Sequence, residues 1–213
     1  MSTGETVERM RDHWWWRPGW RVGRSFYTWH ITFGNQPAVH QVADGYAPAL
    51  DGVPTLDLIP PLWLHLTMQG VGFTDEVSRA DADRIVGAVR AGCAVLAPFT
   101  VTLGPARVDA EALKLPVRPA EPVARLRGAI RSAIAKVWGD DNVPESADGF
   151  RPHVSLAYSN AAGPSDLIAR RLAAHPIISA EITVNHVSLI DLNRDHRTYE
   201  WTEVATATLG TVR

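Results

Sequence analysis

At two places in this chain, apolar and polar side chains alternate with an imidazole and a hydroxyl on the polar side. Successive residues of a strand point to opposite faces. Over residues 62–69, His65 and Thr67 therefore share a face with Trp63 and Gln69, and Leu62, Leu64, Leu66 and Met68 share the other. Over residues 151–158 the pattern recurs: His153 and Ser155 project with Arg151, while Pro152, Val154, Leu156 and Tyr158 line the back. An apolar back sunk in a core would hold each imidazole and hydroxyl at fixed spacing over a groove. Residues 26–33 predict another half-polar strand, with Thr28, His30 and Thr32 opposite Tyr27, Trp29, Ile31 and Phe33.

Between these strands the period changes to that of a helix. Residues 37–50 read as a short helix. Thr74 offers an N-cap with Asp75 and Glu76 in the first turn, and Val77, Ala80, Ile85, Val89, Cys93 and Leu96 carry an apolar stripe to about Ala94. The most regular helix has Pro122 in its first turn, Val123, Leu126, Ile130, Ile134 and Val137 at helical spacing, and Gly139 as its stop. A last helix opens at Pro164-Ser165-Asp166 and closes at His175-Pro176. Strands are expected over 99–103 and 112–117 as a hairpin, and over 181–192 and 199–207 as another. Each imidazole-bearing strand is thus followed by a helix and then by more strand, a weak internal duplication. These elements imply an α+β fold of two antiparallel sheets facing a central cleft, with helices on the outer faces.

Composition narrows the class. With 46% hydrophobic and 21% charged residues over 213 positions, the chain can bury a full core and is not disordered. A formal charge of −2 argues against coating long duplex nucleic acid, but leaves an RNA end or a small nucleotide open. Lys occurs only at 114 and 136; the remaining basic residues are Arg, which suits bidentate phosphate contacts but also follows from genome composition. The single Cys93 excludes an internal disulfide and a Cys-built zinc site. There is no apolar run of membrane-spanning length, and Glu5, Glu8 and Asp12 stand where a targeting segment would be apolar. A cytoplasmic monomer without membrane association is expected.

Residues 1–25 form an extension ahead of one bilobal domain spanning 26–213. The extension holds Trp14, Trp15, Trp16 and Trp20 among Arg9, Arg11, Arg17, Arg21 and Arg24. Two readings stand: a lid that stacks indoles on bases, or a clamp that packs them on the body and pairs them with Arg. The clamp is favoured because aromatic rings find core or cation-π partners first.

Five of the eight histidines begin a His-x-Ser or His-x-Thr tripeptide, at His30, His65, His153, His186 and His196, where chance gives about one. Context separates them. His196 lies in the polar turn 193–197, read as a solvated loop. His186 shares a predicted strand face with Ile182 and Val184 and reads as a core histidine. His30 is placed on a face that lines the groove without transferring protons.

The segments His65-Leu66-Thr67 and Phe150-Arg151-Pro152-His153-Val154-Ser155-Leu156 resemble the paired signatures of the 2H phosphoesterase superfamily, more narrowly its 2′-5′ RNA ligase and RNA 2′,3′-cyclic phosphodiesterase (LigT-like) branch. The likeness runs from about Phe26 onward. Ser155 replaces the commoner Thr and keeps the hydroxyl; the long N-terminal extension is the other departure. The resemblance implies a bilobal fold and metal-independent hydrolysis of an RNA 2′,3′-cyclic phosphate or a 2′,5′-linked phosphodiester, with no cofactor. His65 and His153 would supply general acid and base, a role suited to a pKa of about 6.5, and reversal would ligate. Thr67 and Ser155 would donate to non-bridging phosphate oxygens. Arg151 either adds charge there or forms a surface ion pair. His30, Trp63 and Tyr158 are candidates for lining the cleft or stacking on a base, and equally for packing.

Two other classes fit the same residues. A non-catalytic nucleotide or RNA-end binding module would keep the cleft without turnover. A metallohydrolase would use His30, His65, His153 or His186 as ligands, although neither a His-x-x-x-His spacing nor a Cys cluster supports it.

Overall fold

The computed structural model describes residues 7–210. The first six residues of the extension and the last three of the chain lie outside the described residues. In chain order come β1 (Arg9–Met10), β2 (Phe26–Thr32), α1 (Pro37–Leu50), β3 (Leu56–Leu58), β4 (His65–Phe73), α2 (Arg79–Cys93), β5 (Phe99–Leu103) and β6 (Arg107–Val108). They are followed by β7 (Ala112–Arg118), α3 (Glu121–Trp138), β8 (His153–Ser159), β9 (Gly163–Pro164), α4 (Asp166–Ala173), β10 (Ala180–Val184), β11 (His186–Asn193) and β12 (Glu200–Thr208).

The architecture is the expected α+β arrangement. One antiparallel sheet has the order β12-β11-β2-β4, a second has β10-β5-β7-β8-β3 with β6 added on β7, and β1 and β9 pair as a small two-stranded sheet. β4 and β8 approach each other at the junction of the first two sheets. Helices α2 and α3 pack together outside the first sheet, while α1 lies against β10 and α4. Leu64, Leu66 and Met68 under β4, Val154 and Leu156 under β8, and Leu126, Ile130 and Ile134 on α3 are all buried. Each contributes about 1.5–3 kcal/mol by leaving water.

Three local expectations are corrected. Helix α2 begins at Arg79, capped by Ser78, whose hydroxyl accepts from the Asp81 amide; Asp75 and Glu76 instead hold the Arg24 guanidinium. A long-range ion pair has taken the acids that a local reading gave to the helix dipole. Leu62 belongs to a short 3-10 turn, Pro61–Trp63, and is exposed. The predicted strand over 181–192 is two strands in different sheets, broken at Asn185. Face parity is lost there, so His186 is half-exposed and hydrogen-bonded to Asn185 at 2.6 Å instead of sitting in the core.

Bulges decide which residues face the cleft. On β4, Thr67 pairs with His30 and Gln69 with Trp29, so Met68 has no partner across the ladder. The extra residue turns Gln69 away from the His65 face, and its amide is held by Arg131 on α3 and the Pro144 carbonyl. The Met68 carbonyl accepts from Arg127 Nε at 2.8 Å, and the same guanidinium donates to the carbonyls of Ser146 and Ala147. Arg127 thus ties the bulged strand to the loop that leads into β8. Arg127→Met should lower the unfolding free energy by about 1–3 kcal/mol, the cost of stranding buried acceptors, measured by urea denaturation; an unchanged midpoint would remove it as the tie.

Candidate active site

His65 and His153 line one cavity of about 470 Å³, with Thr67 and Ser155 beside them. Both rings are held by the same device. His65 Nδ1 lies 2.8 Å from the Trp63 carbonyl and His153 Nδ1 lies 2.9 Å from the Arg151 carbonyl, in each case two residues upstream. A carbonyl can only accept, so each Nδ1 carries the hydrogen, and in the neutral ring Nε2 keeps the lone pair. Each histidine can therefore take up or release a proton at Nε2.

Their electrostatic settings differ. His65 is 7% exposed, and burial, with a smaller contribution from the His153 charge, pulls its pKa down to about 4. His153 sits half-exposed at the start of β8; burial of the ring and the nearby Lys114 lower its pKa as well. Lys114 pairs directly across β7 and β8 with Ser155, and its ammonium meets Asp109 at 3.1 Å. It places a cation on the cavity wall.

The other candidate residues separate. His30 stacks on His65 with ring centroids 4.5 Å apart and planes within 5°. It lines the cavity, fully buried, and burial holds it neutral with a pKa well below the ordinary value. Tyr158 also lines the cavity, although simple alternation puts it behind His153. The register gives the reason: Leu113 pairs with Ala157 and Lys114 with Ser155, so Leu156 is an extra residue that switches the face of everything after it. Trp63 is absent from this cavity; its ring packs edge-on against Trp201 at 4.8 Å, and its carbonyl holds His65. The Arg151 side chain is exposed and lines an adjoining cavity that shares His153 and Thr67 with the first. Among the described residues no ion pair engages Arg151.

The N-terminal segment meets the clamp expectation in part: Trp14 and Trp20 pack on the body, while Trp15 and Trp16 are each 49% exposed, and the segment also forms a wall of the cavity. Trp14 is buried, donates to Asp57 at 2.9 Å, and meets Tyr158 and Tyr199. His13 stacks on Tyr158 at 4.0 Å and bonds the Tyr199 hydroxyl at 2.9 Å; burial, with Arg17 and Arg194 nearby, lowers its pKa to about 3. Arg17 and Trp20 complete this wall.

Arg194 overturns the reading of residues 193–197 as a solvated loop. His196 is solvated, but Arg194 is 3% exposed, its guanidinium lying 5.5–6.0 Å from the rings of Trp14, Trp16, Trp20 and Tyr199 and donating to the carbonyls of His13 and Trp15. The cluster of indoles was the available signal that some arginine would be caged; which one required the fold. Among the described residues no group of three or more His, Cys, Asp or Glu side chains is arranged to hold a metal ion, and no helix is long and apolar enough to cross a membrane.

A model of the family described as the 2′-5′ RNA ligase superfamily matches residues 52–196. Curated protein sequences give no match. Among solved structures, TT0787 of Thermus thermophilus superimposes with a TM-score of 0.66 at 18% identity, over 89% of this chain and 100% of that one. E. coli LigT complexed with 3′-AMP gives 0.63 at 17% identity, over 87% and 98%. At such identities the structures establish the common fold.

Proposed function

The chain belongs to the 2′-5′ RNA ligase superfamily, enzymes of the 2H phosphoesterase type, and from that premise we propose that it hydrolyses an RNA 2′,3′-cyclic phosphate or a 2′,5′-linked phosphodiester without a metal ion. The observation that carries this reading is the matched pair of imidazoles, His65 and His153, each tethered through Nδ1 and lining one cavity with a hydroxyl two residues on.

His65, deeply buried and neutral, takes the proton of the attacking water at Nε2. His153, at the cleft edge, protonates the departing ribose oxygen as its bond to phosphorus breaks. Thr67 and Ser155 donate to the non-bridging oxygens, with Lys114 adding charge where negative charge grows. Tyr158 and the clamp give the nucleoside an aromatic wall; residues 26–213 are the catalytic domain and 1–25 the accessory segment. E. coli LigT has been crystallised with 3′-AMP, NADP+ and ATP, which supports a small nucleotide or nucleotide terminus as ligand. In the ligation direction the two roles exchange: the incoming 5′-hydroxyl gives its proton to His153, and His65 protonates the ribose oxygen that is released.

The test is a pH profile on 2′,3′-cyclic AMP in excess chelator. Catalysis needs one imidazole neutral and the other protonated. Activity should fall as pH drops through about 4, where His65 becomes protonated, and fall again as pH rises through the lowered pKa of His153. The kcat/KM maximum is therefore expected below pH 6.5, the ordinary histidine value. Loss of turnover in chelator restored by a divalent ion would favour a metallohydrolase. Tight binding with no turnover at any pH would favour a binding module.

A further inference from the structure

The cavity between His65 and His153 continues into a second one of about 920 Å³, and the two share Thr67, Lys114, Glu145 and His153. The reacting phosphate, on the phosphodiesterase reading above, sits at this neck. A cyclic mononucleotide fills only one side of it.

The two sides differ in chemistry. The first is walled by Trp20, Phe26, Tyr158 and Tyr199, suited to a nucleoside. The second is lined by Arg107, Arg118 and Arg151, all exposed. Its acids are largely engaged, Asp109 by Lys114 at 3.1 Å and Glu145 by Arg127 at 3.7 Å. Among the described residues Arg107, Arg118 and Arg151 have no ion-pair partner, and Asp148 is the one lining acid left to oppose them.

We propose that the second cavity is an anion subsite for a phosphate carried by the leaving nucleotide, so that among the substrates of the phosphodiesterase reading those that continue beyond the scissile bond are preferred. His153 lines both cavities and His65 only the first, which fits His153 as the proton donor on the departing side. Water adds its oxygen to phosphorus and gives its proton to His65. The bond from phosphorus to O5′ breaks, His153 protonates O5′, and the 5′-hydroxyl nucleotide leaves across the arginines with its own phosphate.

The experiment compares kcat/KM at low salt for 2′,3′-cyclic AMP, adenylyl-(2′→5′)-adenosine, and the same dinucleotide bearing a 2′-phosphate on its leaving nucleoside. The added phosphate should raise kcat/KM by about tenfold, a gain that shrinks as salt rises. Arg107→Ala with Arg118→Ala, both exposed and tolerable to the fold, should abolish the gain and leave cyclic AMP turnover within about twofold. Equal rates on the two dinucleotides, or a gain surviving in the double variant, would overturn the subsite. Calorimetry of the phosphorylated dinucleotide supplies a readout independent of turnover: the double variant should bind it about tenfold more weakly, and unchanged affinity would overturn the proposal. Failure on all three substrates with that binding difference intact would sink the phosphodiesterase reading and spare the subsite.

Discussion

His65→Ala and His153→Ala are each expected to lower kcat on 2′,3′-cyclic AMP by about 10²- to 10⁴-fold, the contribution of one positioned proton-transfer group. Neither change should unfold the protein. His153 is half-exposed at the start of β8, and His65 lies over a sheet whose far side, Leu64, Leu66 and Met68, is untouched. His30 is not expected to substitute for a missing His65, because it is 1% exposed and stacked against that ring. The double variant should be little worse than either single one, since residues that act as a unit lose their function together. The measurement is single-turnover kinetics with far-UV circular dichroism as the folding control. Near-full activity in both variants on every cyclic phosphate tried would end the paired-histidine proposal.

Thr67→Val and Ser155→Ala are the next largest, each expected to cost about 10²- to 10³-fold in kcat, as removal of one preorganised donor does in other enzymes. Both substitutions take away the hydroxyl and keep the approximate shape. Thr67 opens directly on the cavity, and Ser155 is 6% exposed and faces Lys114 across the ladder. If the hydroxyls contact the developing charge, kcat falls and KM moves little. Ser155→Thr, which restores the commoner residue of the resemblance, should recover most of the loss. A change confined to KM would mean that the hydroxyls bind substrate without favouring the transition state.

Much of this site was legible along the chain because the signal is local. A strand writes its two faces into every second residue, so His65 with Thr67, and His153 with Ser155, could be read as pairs over an apolar back. Helix α3 was equally plain, with Pro122 at its start and Gly139, at φ +87°, at its end. Alternation fails wherever one residue is added. The bulges at Met68 and Leu156 moved Gln69 out of the expected face and Tyr158 into it, and the change of sheet at Asn185 voided the reading of His186.

The clamp shows the other limit. Sequence could say that indoles and arginines would find each other, since both gain from contact. It could not say that Arg194, 181 positions from His13 along the chain, would be the caged cation, or that Lys114 would face Ser155.

By itself, then, the sequence determined the fold class and the two imidazole–hydroxyl strands, because burial of an apolar face is a property of neighbouring residues. Tertiary structure alone decided that the strands meet at one cavity, which rings wall it, and which charges surround it. Those contacts join positions far apart in the chain, and they exist only once the register of each sheet is set.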